Sequence, residues 1–281
     1  MARLLAIVAS LTVVLLIGIF AFLTITAFAV LRDVPLADFL LGTHWNPSAY
    51  GDPQWGILPL FAGTLMVTSC ALILSVPLGL GIAIYLSEIA SRRVREIIKP
   101  MIEMIAGIPS IVLGLAGLLF LAPTMARLTG QTSGLHSLTA SLLVALCALP
   151  TVASICEDAL SNVPERYREA SFALGASQWT TISRIVIPAA RSGIAAAIML
   201  GLGRIIGETM IVLMVAGNSL AMPRSLLDPS RPMTSAIAIE IKETIVGSTH
   251  WHALFAIGLV LFLITFAVNF IADLFIHRAR L

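Results

Sequence analysis

Hydrophobic residues along this chain come in long runs, not in short alternations. Six segments, roughly 4–31, 59–86, 104–122, 136–155, 193–217 and 253–276, are long and apolar enough to fill the ~20 residues that a helix needs to cross a bilayer. No strand-like alternation of the membrane-barrel kind appears, and only helices or closed barrels satisfy their backbone in lipid. The pattern predicts an all-α membrane protein with six transmembrane helices. The first segment has no charge from Leu4 to Leu31, about twice the apolar length of a signal peptide, and is read as a retained span. The expected organisation is an N-terminal helix and external loop over 1–58, a core over 59–276 that contains a cytoplasmic loop at 156–192, and a short tail at 277–281.

Charge supplies the orientation. With the N-terminus inside, eleven of the 17 lysines and arginines fall on the cytoplasmic side, in Arg3, the 92–99 group, the 166–191 group, Arg278 and Arg280. Five fall outside: Arg32, Arg127, Arg224, Arg231 and Lys242. The positive-inside rule therefore places both termini in the cytoplasm. Only 11% of residues are charged, against about 25% in soluble domains, so lipid is the expected solvent. A net charge of +2 with no basic run excludes nucleic acid as a partner. Cys70, Cys147 and Cys156 lack metal-ligand spacing, and no nucleophile–base constellation appears, so neither a metal site nor catalysis is expected.

The remaining cation, Arg204, lies inside the fifth segment together with Glu208, in "GLGRIIGETM". A charge at the centre of a membrane helix costs about 2.5–3.5 kcal/mol, so such residues face a bundle interior or a water-filled path. Four residues apart on one helix, the two share a face and can pair. Gly203 and Gly207 form a small-xxx-small pair about 100° away, suited to close packing of a neighbouring helix. One reading is a structural ion pair. The other is an anion path, in which Arg204 offers a planar fork to an oxyanion while Glu208 orients and partly neutralises it.

The cytoplasmic segment "EDALSNVPERYREASFALGASQWTTISRIVIPAA" is longer than a turn requires. Helical patterns at Glu169–Leu174 and Ser177–Val186 flank Gly175, which suits a left-handed C-cap, and Ser177 suits an N-cap. Phe172, Leu174 and Trp179 are apolar anchors among polar neighbours. An amphipathic linker on the membrane surface fits this pattern as well.

Within it, "EASFALGASQWTTISRIVIP" resembles the EAA loop of ABC-importer permeases, through Glu169, Ala170, Ser171, Gly175, Ile185, Ile187 and Pro188. The third motif position is Ser171 where Ala is common, and Ile187 replaces the usual Leu. "PLGLGIAIYLSEIA", "EMIAGIPSIVLGLAGL", "GLGRIIGETMIVLMVAGN" and "LLDPSRPMTSAIAIEI" extend the resemblance to PstC-type permeases of bacterial phosphate importers. The resemblance implies a type I ABC importer permease (MetI-like) fold in the bacterial inner membrane. It implies a coupling helix docked on a separate ATPase, with Phe172, Leu174 and Trp179 as anchors beside Glu169, Ala170 and Gly175. The implied partners are a second, A-type permease, two ATPase subunits and an extracytoplasmic phosphate-binding protein. Neither Lys99 nor Lys242 completes a Gly-rich phosphate loop, so this chain binds no cofactor, and ATP and Mg belong to the partner ATPase. Sulfate, molybdate or phosphonate importers, a proton-coupled secondary transporter, and a structural or channel subunit are the alternatives.

Lesser features complete the reading. Pro109 predicts a kink early in the third span, and Ser110 beside it is a weaker substrate contact. Glu88 and Glu103 read as interfacial charges. The outer segment 218–252 predicts a short re-entrant or surface helix at "TSAIAIEIKETI", where the family implies contact with the binding protein. His250 and His252 do not share a helical face. Trp45, Tyr50 and Trp55 predict an interfacial aromatic belt and docking rim.

Overall fold

The computed structural model describes residues 2–49 and 51–278, without side chains at 2–5, 7, 272–273 and 275–278. Tyr50 and the tail residues 279–281 therefore lie outside the described residues, as do the side chains of Arg3 and Arg278. Among the described residues, five helical stretches are long and apolar enough to span a membrane: Val8–Arg32, Leu58–Ile89, Ser110–Thr129, Ser137–Ser161 and Thr249–Ile271. A sixth span forms if Gln178–Ala189 and Arg191–Ile206, bent by 70° at their junction, are taken together.

Helix α1 (Ala2–Phe28) and the short α2 (Leu36–Leu41) lead into a two-stranded hairpin, Trp45–Asn46 with Gln54–Trp55. The second span is α3 (Leu58–Ile84), extended by a π-turn to Ile89. The third span starts later than its hydrophobic run. Residues 92–106 form a separate amphipathic helix, α4 (Arg92–Ala106), and the membrane helix begins at Ser110 as α5 (Ser110–Ala116), continuing through a π-turn into α6 (Ala122–Thr129). Pro109 is thus not a kink inside a span. It precedes the helix in an extended conformation (φ −59°, ψ 134°), and Gly107 closes the helix before it.

The fourth span, α7 (Ser137–Ser161), is the central helix, with most of its residues buried, whereas a third or fewer are buried in the other four. Large apolar side chains such as Ile73 and Phe120 stand exposed on the outside of the spans. The loop expected to be cytoplasmic folds as α8 (Glu165–Ala173), α9 (Gln178–Thr181), a π-turn and α10 (Ile187–Ala189). The first of these is longer than its predicted pattern. The fifth span, expected as one helix over 193–217, is broken: α11 (Arg191–Ile206) stops, and α12 (Met210–Val215) follows after Gly207–Thr209. A loop then returns into the bundle and leads to α13 (Met233–Glu240) and the last span, α14 (Thr249–Arg278).

Close packing of α11 on α7 uses Gly193, Ala197 and Gly201, spaced four apart. A Cβ on Gly193 would strike Ala159, and one on Gly201 would strike Val152. Val152 also fills the hollow at Gly79 on α3, so one valine wedges three helices together. Gly203 has nothing within 4 Å of where its Cβ would stand, and Gly207 meets only its own helix backbone. The expected packing face at Gly203 and Gly207 is therefore not used inside this chain, because α11 turns the 193–197–201 stripe toward α7 instead.

Candidate functional site

The break after α11 is built from satisfied backbone. A helix end leaves its last carbonyls without partners. Here the Thr209 hydroxyl donates to Gly207 O (3.1 Å) and the Thr234 hydroxyl, at the start of α13, to Glu208 O (2.9 Å). The Glu208 carboxylate turns to the next helix and accepts from the Ile211 N–H (3.2 Å), covering one orphan donor of α12. Irregular backbone at membrane depth is tolerated where protein surrounds it, and these contacts meet that condition.

Arg204 sits in the last turn of α11. Its Nη1 donates to Thr151 Oγ1 (3.4 Å) and its Nη2 to Cys147 Sγ (3.4 Å), both on α7. Pro150 lies between these partners and carries no N–H, so Leu146 O receives no helical hydrogen bond from it. The expected Arg204–Glu208 ion pair does not form among the described residues. The helix ends at Ile206, so the four-residue spacing no longer places Glu208 on the Arg204 face. The two meet instead through Cys147, whose Sγ accepts from Arg204 and lies 3.9 Å from Glu208 Oε2. A guanidinium has five N–H donors. Among the described residues this one has two long contacts, both to neutral acceptors, and no carboxylate at ion-pair distance, so donors remain for an anion.

At the Ser137 end of α7, the returning loop caps the helix. Asp228 O and Leu226 O accept from the N–H groups of Ser137 (3.1 Å) and Leu138 (2.7 Å). Gly217 holds this turn at φ +91°, where a Cβ would meet Leu135 O and Pro229. Buried Glu240 accepts from Trp45 Nε1 (3.0 Å), Arg231 Nη1 (2.9 Å) and His250 Nε2 (2.8 Å). Trp45 is 1% exposed, which overturns its place in an interfacial belt: the indole N–H needs a buried acceptor, and Glu240 supplies it.

Near the other end of α7, Glu157 is buried and paired with Arg95 and with Lys99 (2.6 Å) on α4. The hydrogen bond to Glu157 outweighs burial and raises the Lys99 ammonium above its ordinary range. Glu88 is not a free interfacial charge. Arg168 grips it through Nη2 (2.7 Å) and Nε (3.0 Å), and that hydrogen bonding raises the Arg168 pKa against the effect of burial.

The loop between the fourth and fifth spans turns where Gly175 takes φ +81°. Ala176 N–H bonds to Ser171 O (3.1 Å) and Gly175 N–H to Phe172 O (2.9 Å), the paired bonds of a Schellman C-cap. Ser177 caps α9 by accepting from Thr180 N–H (3.2 Å). Phe172, Leu174 and Trp179 stand 48%, 89% and 64% exposed, three large apolar side chains around one turn, and Glu169 and Ala170 are exposed beside them.

Residues 75–281, well over half of the chain, match the family described as the inner membrane component of binding-protein-dependent transport systems. The chain belongs to that family. A probable ABC transporter permease, YqgH of Bacillus subtilis, is 36% identical to this permease over 229 residues, covering 82% of this chain and 74% of its own. The phosphate transport system permease protein PstC of Haemophilus influenzae is 35% identical over 262 residues, covering 86% and 82%. Among solved structures, an inward-facing MetNI methionine transporter aligns with TM-score 0.59 at 18% identity, over 80% of this chain and 94% of that one. A bacterial alginate ABC transporter, solved with its alginate-bound periplasmic protein, aligns with TM-score 0.65 at 13% identity, over 96% and 92%. The fold of this permease is the MetI-like fold of type I importers.

Several residues that build the permease site escape a reading of the sequence alone. Cys147 and Thr151 lie more than 50 positions from Arg204 and carry no motif. Glu240 offered a weak signal, a lone acid in the apolar run "TSAIAIEI".

Proposed function

We propose that this permease translocates inorganic phosphate across the bacterial inner membrane as one subunit of an ATP-driven importer. The observation that carries the reading is the 35% identity over 86% of the chain to a permease named for phosphate transport. An incompletely satisfied arginine at the break of a span supports it, because its fork matches an oxyanion without a carboxylate to displace. Arg204 meets the passing anion. Glu208 holds the break open by capping α12, and its charge beyond the Cys147 thiol keeps binding weak enough for release.

The partners are a second, A-type permease, two ATPase subunits that bind ATP and Mg, and an extracytoplasmic phosphate-binding protein. This chain binds no cofactor itself, and both termini face the cytoplasm. Phe172, Leu174 and Trp179 enter a groove of the ATPase, a helix-in-groove contact, with Glu169, Ala170 and Gly175 shaping the turn. The open surface at Gly203 and Gly207 faces the second permease, where missing side chains allow close approach. Uptake of radiolabelled phosphate by cells carrying wild type or Arg204→Gln, with assembly verified, tests the reading. Phosphate should outcompete sulfate, molybdate and phosphonate, and Arg204→Gln should abolish uptake. Wild-type uptake in Arg204→Gln would remove the arginine from the path.

A further inference from the structure

The cytoplasmic loop is held to the bundle unevenly. Its second arm packs through Ile182 and Val186, both buried in the inner core. Its first arm, α8, buries only Ser171, whose hydroxyl meets Thr181 Oγ1 (2.8 Å) on the second arm. What ties α8 to the spans is Arg168. Besides gripping Glu88 at the end of the second span, it donates to Val163 O (2.6 Å) and Leu160 O (3.1 Å) where the fourth span ends. Gln178, on the second arm, donates to Glu88 O (2.9 Å), so both arms converge on the same residue. The ion pair is secluded, with side chains 11% and 6% exposed, yet it borders a polar cavity of about 330 Å³ lined also by Ser87, Arg95 and Ser161. Among the described residues Ser171 is the one buried residue of α8 itself, and Val163 just before it packs into the inner core, so the Arg168–Glu88 contact is the side-chain tie through which displacement of α8 reaches the second span. A bidentate arginine–carboxylate pair suits that role, since its geometry is fixed in two directions.

We infer that Arg168 and Glu88 form the strut that carries movement of the ATPase-facing loop into the second and fourth spans. Both are positioning residues, and the inference rests on the loop being the ATPase contact proposed above. The test uses the full importer, reconstituted with its ATPase and binding protein, and reads ATP hydrolysed per phosphate imported. In Arg168→Gln and in Glu88→Gln that ratio should rise at least about fivefold, the low end of coupling between two sites in one protein. The double variant should be no worse than either single, because the two side chains act as one unit. If Arg168→Gln does not assemble, Arg168→Lys, which keeps the charge and loses the fork, carries the same readout. A ratio equal to wild type in every assembled variant, with import and hydrolysis falling together, would overturn the strut and leave a purely structural pair. Import by the wild-type complex separately tests the importer reading. If another oxyanion is the cargo, the ratio is read with that anion.

Discussion

Val152 makes a sharp mechanical prediction. Its Cγ1 lies 2.8 Å from where a Cβ on Gly79 would stand, and its Cγ2 lies 2.5 Å from the same point on Gly201. Ordinary contact begins at 3.4 Å, so Gly201→Ala demands a displacement of about 1 Å. Val152 cannot retreat, because the backbone of α3 at Gly79 stands behind it. Helix α11 has to move off α7 instead. Overpacking of this kind costs about 1–3 kcal/mol, and at about 2–4 °C per kcal/mol the purified permease complex should melt roughly 2–12 °C lower.

The same shift has a functional consequence. Arg204 is three residues beyond Gly201, and its contacts to Thr151 and Cys147 are already 3.4 Å long. Gly201→Ala should therefore lower phosphate uptake as well as stability. Val152→Ala alone should cost about 1–2 kcal/mol for lost burial and residual cavity. Combined with Gly201→Ala it should restore both melting temperature and uptake, because the new methyl fills the space that valine vacates. The assay is a double-mutant cycle on melting temperature and initial uptake rate. Additivity within about 0.5 kcal/mol would refute the three-helix wedge.

Other consequences follow from single contacts. Glu208→Ala removes the cap on Ile211 N–H and should destabilise the purified complex by about 1 kcal/mol, whereas Glu208→Gln keeps an acceptor and should melt near wild type while altering uptake. Equal melting of the two variants would dismiss the capping role. Glu157→Ala strands Arg95 and Lys99, but their side chains are 37% and 31% exposed and reach water, so the loss should be about 1–3 kcal/mol, below the cost of a fully buried pair. Melting of that variant across a salt series measures it. Burial lowers the His136 pKa below 6.5, so the unfolded chain takes up the proton first as pH falls. The stability of its neutral form is complete above pH 6.5 and is lost progressively below it. In His136→Asn, which keeps an acceptor for Thr139 N–H, melting temperature should fall less between pH 7 and pH 5 than in wild type; parallel curves would refute this.

The spans were readable because lipid imposes one demand, a long apolar run, and α3 and α7 begin within a residue of where their runs do. The breaks were not, since a hydrophobic run does not register where its helix stops. Pro109 could be read as a kink or a start, and the distinction depends on α4 peeling away as an amphipathic helix held by Glu157. The run stays apolar on average despite Gly207, Glu208 and Thr209, which supply a weak helix former and a hydroxyl that competes for backbone. The turn at Gly175 was legible because its chemistry is local. Trp45 and Glu240 are 195 positions apart, and a pairing at that separation is set by the fold.

The distribution of contact strength bears on how such a molecule moves. At one end of the bundle, Glu240 gathers an indole, a guanidinium and an imidazole. At the other, Glu157 and Glu88 each hold cations at short range. Between them, Arg204 touches only a thiol and a hydroxyl at 3.4 Å among the described residues. Charged contacts at this burial are costly to break singly, so both ends should persist as units through a transport cycle. The middle contacts are weak and neutral, so rearrangement there costs little. On the proposed reading of Arg204, an arriving anion offers it more than it gives up, and such a site binds and releases without dismantling the ends.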